Sequence, residues 1–219
     1  MSAVRVAPSL LAADLTRLAE EVRSAEAAGA DMLHLDVMDG VWVPNLTFGP
    51  GLCAALARIT QLPLDVHLMV ANPDALVQPF VAAGAKSIAV HVEAVPHLHR
   101  TLVRIRELGA SPGVALNPLT SLASLEEVWP FVDFLLLMTV NPGFGGQALI
   151  PETLGKLARL HALRQARRPE VLLAVDGGVT VTNAPSLVAS GADILVAGTA
   201  FFGASDRKAV VAAFKGGRA

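Results

Sequence analysis

A glycine recurs at nearly regular intervals along the chain, each time between a helix-like segment and a short apolar run. The glycines are Gly29, Gly84, Gly109 and Gly191, and each is followed by alanine. Their separations of 55, 25 and 82 residues are close to two, one and three multiples of about 27. A glycine in this position ends a helix before a turn and a buried strand. A chain of 219 residues has room for about eight such units.

Eight apolar runs follow this spacing and predict strands at 5–9, 32–37, 64–69, 87–91, 112–116, 134–138, 172–175 and 194–197. Most are continuously apolar, as are the strands of a parallel sheet that is covered on both faces. Amphipathic segments between them, such as 14–28, 98–108 and 151–167, predict helices. Eight even units favour one closed (β/α)8 barrel of the TIM type over residues 1–219, rather than an open doubly wound sheet.

Composition excludes several classes of protein. With 53% hydrophobic and 16% charged residues the chain can build a large core, yet no apolar run approaches the roughly 18 residues of a membrane span. A formal net charge of −2 without basic runs argues against a nucleic-acid partner. The single cysteine, Cys53, excludes an internal disulfide, and the N-terminus lacks a signal-peptide pattern. We therefore expect a cytoplasmic protein that binds neither nucleic acid nor membrane.

Polar side chains collect where the predicted strands end. A barrel carries its functional groups at the carboxyl ends of its strands, so these residues are expected to share one rim. They are Ser9, His34, Asp36, Asp65, His67, His91, Glu93, Asn117, Asn141, Asp176 and Thr199.

Four of these residues form a predicted metal site: His34, Asp36, His67 and Asp176. An imidazole and a carboxylate on one face of a buried strand are costly unless they bind something, although a hydrogen-bonded core pair is the simpler alternative. Two nitrogens and two oxygens suit one borderline divalent ion, and zinc, manganese, cobalt and ferrous iron all remain open.

Glycine clusters after three consecutive strands predict a phosphate site. They comprise Gly143, Phe144, Gly145 and Gly146, then Gly177 and Gly178, and finally Gly198 with Thr199. Backbone N–H groups in such turns approach an anion closely, and barrel phosphate sites commonly use the loops after the seventh and eighth strands. No lysine or arginine lies in these clusters, so backbone donors would hold the phosphate.

Two carboxylates on nearly opposite strands, beside a metal and a phosphate site, indicate epimerisation next to the ketone of a phosphorylated sugar. Asp36 and Asp176 are the predicted acid–base pair, since two bases on opposite faces invert a stereocentre through an enediolate. Met38, Met69 and Met138 end inward-facing strand positions and form either an apolar wall over the substrate or ordinary core filling.

With these motifs in place, the chain resembles the ribulose-phosphate 3-epimerase family nearly end to end. The matching segments are 7–10, 34–40, 43–45, 65–69, 140–147 and 175–179. The resemblance implies a TIM barrel of the ribulose-phosphate-binding type and a metal-dependent isomerase that converts D-ribulose 5-phosphate into D-xylulose 5-phosphate. It also implies a role in the pentose phosphate pathway or carbon fixation, and a homo-oligomer, either a dimer or a hexamer.

The resemblance implies roles for individual residues as well. Asp36 would accept the proton and Asp176 would donate one, and both would bind the metal with His34 and His67. Substrate contacts would come from Ser9, His67, Gly143, Phe144, Gly145, Gly146, Asp176, Gly177, Gly178, Gly198 and Thr199. His91 stays outside this predicted site.

Two alternatives remain at this point. Allulose-6-phosphate 3-epimerase performs the same chemistry on a ketohexose phosphate and shares these motifs. A metal-free phosphate-binding barrel, either a decarboxylase or a non-catalytic binding protein, would need the glycine loops but not both aspartates with both histidines. The loops at 41–47 and 143–148 are the predicted moving segments.

Overall fold

Eight parallel strands form the sheet of this computed structural model, which describes residues 3–216. The strands are β1 (Arg5–Pro8), β2 (Leu33–Met38), β3 (Leu64–Met69), β4 (Ala85–His91), β5 (Ser111–Leu116), β6 (Phe134–Met138), β7 (Leu172–Asp176) and β8 (Ile194–Ala197). Their order is β1-β8-β7-β6-β5-β4-β3-β2, and every pairing is parallel. A parallel bridge between Ser9 and His34 joins β1 to β2, so the sheet closes into the predicted barrel.

Helices cover the outside of the barrel. They are α1 (Leu18–Ala28), α2 (Pro50–Leu56), α3 (Asp74–Ala82), α4 (Leu98–Glu107), α5 (Glu152–Arg167), α6 (Ala184–Ala189), α7 (Thr199–Phe202) and α8 (Arg207–Lys215). The connection from β5 to β6 carries two 3-10 turns, Leu122–Leu125 and Trp129–Phe131, in place of an α-helix. Prolines at both ends of this connection, Pro118 and Pro130, lack the N–H group that helix propagation needs. The predicted alternation therefore holds in every unit but this one.

The predicted strand limits agree with the structure to within two residues. Strands β3, β6 and β8 coincide with the predicted ranges, and β4 begins two residues earlier than expected. The predicted helix at 14–28 opens with a 3-10 turn, Leu15–Arg17, before α1 starts. Asp14 caps that turn, because its carboxylate accepts the backbone N–H of Thr16 at 2.9 Å.

Apolar side chains form two separate layers around the strands. Outward-facing residues such as Leu35, Val66 and Leu173 pack against the helices in one continuous core. Inward-facing residues fill the barrel itself, and many of them are alanine, which leaves room for the large ring of Phe134. Gly113 belongs to this interior as well: a Cβ there would lie 2.2 Å from the Phe134 ring.

The C-terminal helix is fastened to the first helix by charged side chains. Arg207 on α8 pairs with Glu21 on α1 at 2.5 Å, and its guanidinium lies 5.2 Å from the centre of the Phe202 ring. Lys215 donates to the carboxylate of Asp31 at 2.9 Å. These contacts tie the end of the barrel to its beginning. No helix within residues 3–216 is both long and apolar enough to cross a membrane.

Replacing Gly113 by alanine tests the packing of the barrel interior. The new methyl group would overlap the buried Phe134 ring, so Gly113→Ala should lower the free energy of unfolding by about 1–3 kcal/mol. Gly51→Ala is the matched control, since Gly51 lies on α2 with no heavy atom near its added Cβ and should lose no stability. Urea denaturation measures both, and equal midpoints for the two variants would contradict the packing described here.

Candidate active site

Two imidazoles and two carboxylates converge at the centre of the barrel. Asp36 on β2 is paired in register with His67 on β3, and both side chains point inward. Asp36 Oδ1 lies 3.5 Å from His34 Nε2 and 3.7 Å from His67 Nδ1. Asp176 Oδ2, at the end of β7, lies 3.8 Å and 3.5 Å from the same two nitrogens. The four predicted metal residues thus offer ligand atoms that all lie within 4.8 Å of one another.

This geometry fits a divalent ion. Ligands at about 2.0–2.1 Å from a tetrahedral metal lie about 3.4 Å apart, close to the separations found here. His34 Nε2 and His67 Nδ1 are fully buried, yet neither has a hydrogen-bond partner. Buried nitrogens in a folded protein are normally hydrogen-bonded, so two unpartnered ones aimed at the same pair of carboxylates indicate a site for a cation.

The electrostatics of the cluster favour positive charge at its centre. Burial opposes ionisation of both histidines, but Asp36 and Asp65 raise the pKa of His34 well above its ordinary value. Asp176 and Asp36 likewise outweigh burial and raise the pKa of His67. Burial also opposes the charge of Asp36, but His34 and His67 hold the pKa of this carboxyl well below its usual range. Asp36 is therefore ionised at neutral pH.

Neighbouring residues orient two of the four candidate ligands. Nδ1 of His34 donates to Asp65 Oδ2 at 2.8 Å, which leaves Nε2 facing the cluster. The sequence analysis placed Asp65 at the rim, but it is the second residue of β3 and lies one layer deeper than His67. Ser9 donates its hydroxyl to Asp36 Oδ2 at 2.5 Å, which leaves Oδ1 of that carboxylate towards the histidines.

His91, which the sequence analysis left outside the site, is in direct contact with it. His91 Nε2 lies 2.8 Å from His67 Nε2, and His91 Nδ1 lies 3.0 Å from Glu93 Oε2. Burial lowers the pKa of His91 to about 4. Burial opposes ionisation of Glu93, but hydrogen bonds from His91, Thr120 and the backbone of Asn117 lower its pKa to about 2. The signal in the sequence was the strand period, which puts His91 on the inward face of β4.

A cavity of about 310 Å³ opens above the cluster. Asp36 and Asp176 line its floor, while His34 and His67 are fully buried beneath and do not line it. Substrate contact by His67 therefore stays a prediction. The other predicted site residues that line the cavity are Ser9, Met38, Met69, Met138, Gly143, Phe144, Gly145, Gly146, Gly177, Gly178, Gly198 and Thr199. The predicted site residues thus meet at one place.

One wall of the cavity is built from backbone that only glycine can supply. Gly177 and Gly178 have φ angles of +114° and +66°, in the left-handed region. A Cβ on Gly178 would lie 2.3 Å from the backbone nitrogen of Leu149, and one on Gly177 would lie 2.4 Å from Val140. No lysine or arginine lines this cavity. An anion held there would be bound by backbone N–H groups and hydroxyls.

The loops at the cavity mouth are connected to each other. Asn45 Nδ2 donates to the carbonyl of Gly143 at 2.8 Å, which links the loop after β2 to the loop after β6. The same two loops carry three exposed apolar side chains, Val41, Leu46 and Phe144. Both loops were predicted to move, and that remains a prediction.

The known proteins with similar sequences that are described next all carry the same enzyme name. The profile of the Ribulose-phosphate 3 epimerase family matches residues 5–202. The Ribulose-phosphate 3-epimerase of Bacillus subtilis is 46% identical over 216 residues, covering 98% of this chain and all of that protein. Ribulose-phosphate 3-epimerase 1 of Cupriavidus necator is 49% identical, covering 93% and 86%. The chloroplastic Ribulose-5-phosphate-3-epimerase of Arabidopsis thaliana is 47% identical, covering 94% and 74%.

Solved structures match the fold at lower sequence identity. KGPDC from Streptococcus mutans superposes with a TM-score of 0.75 at 13% identity, covering 99% of this chain and 97% of that one. A 3-hexulose-6-phosphate synthase gives a TM-score of 0.67 at 20% identity, with 99% of each chain covered. These likenesses show the TIM-barrel fold alone.

A methyl group at Gly178 tests the glycine wall. Gly178→Ala would force the backbone away from Leu149, and losing one hydrogen bond to an anion should weaken phosphate binding about tenfold. Inorganic phosphate titrated into the protein and followed by NMR measures this affinity.

Gly29→Ala is the control for Gly178→Ala. Gly29 ends α1 with a φ of +86° and has no atom within 4 Å of an added Cβ, so it reproduces the backbone strain away from the cavity. This variant should bind phosphate as the unmodified protein does. Equal phosphate affinity in both variants would mean that the wall does not hold the anion.

Proposed function

Because the chain belongs to the ribulose-phosphate 3-epimerase family, we propose that it interconverts D-ribulose 5-phosphate and D-xylulose 5-phosphate by inverting carbon 3. The observation that carries this proposal is the pair of carboxylates at the cavity floor. Asp36 and Asp176 belong to β2 and β7, which are separated in the barrel by β1 and β8. A substrate carbon bound between them would face one carboxylate on each side, and each carboxylate could exchange a proton with it.

Two acid–base groups explain inversion where one does not. A single base that removes a proton would return it to the same face, whereas a second group on the other face gives the opposite configuration. Asp36 is ionised and accepts the proton of carbon 3, and Asp176 donates a proton to the other face. The two residues exchange these roles in the reverse reaction.

His34, Asp36, His67 and Asp176 would hold one divalent ion, and their nitrogen and oxygen atoms suit zinc, ferrous iron, manganese or cobalt. Such an ion would polarise the ketone oxygen and stabilise the negative charge that forms when carbon 3 loses its proton. Asp65 and Ser9 keep two of the four side chains turned towards that point.

The rest of the cavity binds and orients the substrate. Met38, Met69 and Met138 are at most 3% exposed and give the reacting carbon an apolar surround that excludes water. The phosphate is bound at the glycine wall by Gly178 and its neighbours, together with the hydroxyl of Thr199. Anchoring the phosphate there fixes the distance to the carbon between the two aspartates.

The alternatives left open by the sequence lack support of their own. No feature of the cavity favours a ketohexose phosphate over a pentulose phosphate, and the similar curated proteins carry the pentulose name. A metal-free decarboxylase barrel of this kind would need a lysine at the rim, and none lines the cavity. Lys156 on α5 donates instead to the carbonyls of Asn117, Pro118 and Thr120, which follow β5.

The oligomeric state and the compartment belong to this proposal too. We infer a homo-oligomer, a dimer or a hexamer, that works in the cytoplasm on a phosphorylated ketose. A similar protein of Arabidopsis thaliana is chloroplastic, so the compartment differs among relatives. Light scattering after size-exclusion chromatography gives the mass in solution, and a monomer would contradict the inferred assembly.

Proton exchange in D2O tests the proposed reaction. With D-ribulose 5-phosphate, NMR should show deuterium entering carbon 3 while D-xylulose 5-phosphate forms. A strong chelator should stop both, and added divalent ion should restore them. Absence of exchange and product with metal restored would refute the proposed substrate, and the hexulose phosphate would be tested next.

Replacing Asp176 tests the two-base mechanism. Asp176→Asn should keep the fold and lose most activity, since an amide neither donates nor accepts the required proton. Asp133→Asn is the control, because Asp133 pairs with Arg106 on the surface, and this variant should keep full activity. Turnover is measured together with bound metal, and more than about a tenth of normal turnover in Asp176→Asn would count against its role.

A further inference from the structure

We propose that Glu93 and His91 are positioning residues that fix the tautomer of His67, so that its unprotonated Nδ1 faces Asp36 and Asp176. The inference extends the proposed metal centre and rests on it for its purpose. It gives a function to two polar residues that the mechanism above does not use. Neither residue lines the cavity, so both act through His67.

Three side chains form a row that leads from the buried cluster towards the surface, where Glu93 is partly exposed. His67 Nε2 lies 2.8 Å from His91 Nε2, and His91 Nδ1 lies 3.0 Å from Glu93 Oε2. His67 is in register with Ala89 on β4, and His91 lies two residues further along the same inward face. Each of these two short contacts needs one hydrogen atom between its heavy atoms.

The positions of those hydrogens follow from the carboxylate at the end of the row. An ionised Glu93 only accepts, so Nδ1 of His91 carries a hydrogen and donates to it. A histidine that binds a metal is neutral, and His67 can do so only through Nδ1, since its Nε2 faces His91. Nε2 of His67 then carries a hydrogen and donates it to Nε2 of His91, whose own hydrogen is on Nδ1. Nδ1 of His67 keeps a free lone pair, and it is the nitrogen that lacks a partner in the cluster.

The ring of His91 is enclosed by protein, which holds it between His67 and Glu93. Its side chain is fully buried, and the ring of Trp42 covers it with centroids 4.3 Å apart. The two ring nitrogens of His91 contact His67 and Glu93, so the ring links the carboxylate to the cluster.

Glu93 is itself held in place by the loop after β5. Its Oε1 accepts the backbone N–H of Asn117 at 2.8 Å and the hydroxyl of Thr120. Lys156 on α5 binds three carbonyls of the same loop. The β5–β6 connection, which has no α-helix, thus holds Glu93 at the end of the row farthest from the cluster.

His34, the other histidine of the cluster, is oriented by a carboxylate that contacts it directly. Asp65 contacts Nδ1 of His34 directly, so His34 presents Nε2. His67 presents the opposite nitrogen, and its support reaches a carboxylate only through a second imidazole. Mutation of a residue that orients a metal ligand in this way commonly lowers metal affinity by about 10–100-fold.

The test compares Glu93→Gln with a matched variant. A glutamine at 93 can accept from one tautomer of His91 or donate to the other, so the row no longer enforces one arrangement. Zinc-loaded Glu93→Gln should release its metal to a chelator about tenfold faster than the unmodified protein. Proton–nitrogen NMR of the metal-free variant, at a pH at which the ring is neutral, should show a mixture of tautomers for His67.

Glu26→Gln is the control for this variant. Glu26 Oε1 also accepts one hydroxyl, from Thr60, and one backbone N–H, from Gln61, but it contacts none of the cluster residues. It should release zinc at the unmodified rate, although it loses similar hydrogen bonds. Thermal melting of both metal-free variants separates this effect from a general loss of stability.

The outcomes separate this inference from the proposed metal centre. Absence of zinc binding by the unmodified protein would overturn both. Zinc binding with equal release from Glu93→Gln and Glu26→Gln would overturn the positioning role alone. Ring NMR of the unmodified metal-free protein, at a pH at which His67 is neutral, decides the matter even where Glu93→Gln fails to fold. A hydrogen on Nδ1 of His67, with Nε2 bare, would refute the assignment.

Discussion

The site depends on one unfavourable arrangement, two buried imidazole nitrogens without hydrogen-bond partners that face two carboxylates. His34 and His67 supply the nitrogens, and Asp36 and Asp176 supply the oxygens. Leaving such nitrogens without partners costs free energy unless a cation is bound between them and the carboxylates. The surrounding barrel must therefore hold four side chains in place against their own preference for water.

The same residues that close the barrel also build the site. Ser9 bridges His34 across the seam between β1 and β2, and its hydroxyl binds Asp36. Inward side chains of β2 and β3 lie in successive levels: His34 with Asp65, then Asp36 with His67, then Met38 with Met69. The residues proposed to orient ligands, to bind the metal and to contact the substrate thus follow one another from the interior to the mouth.

Much of this could be predicted from the sequence. Apolar runs at regular spacing gave strand limits within two residues, because side-chain period and helix-ending glycines are local properties of the chain. The places of Asp36 and Asp176 at the cavity could be predicted as well, since polar residues at the ends of apolar strands stand out against their neighbours. Glycine clusters predicted the glycine wall of the cavity, and the φ angles of Gly177 and Gly178 explain why those positions carry glycine.

The sequence alone therefore determined the barrel, the four candidate ligands and the wall that would bind a phosphate. Only the tertiary structure placed Asp65 beside His34 and connected His67 through His91 to Glu93. It also showed that the β5–β6 connection lacks an α-helix and anchors Glu93 instead. These contacts depend on the register between neighbouring strands, and register arises only when distant segments pair, so no local pattern records it.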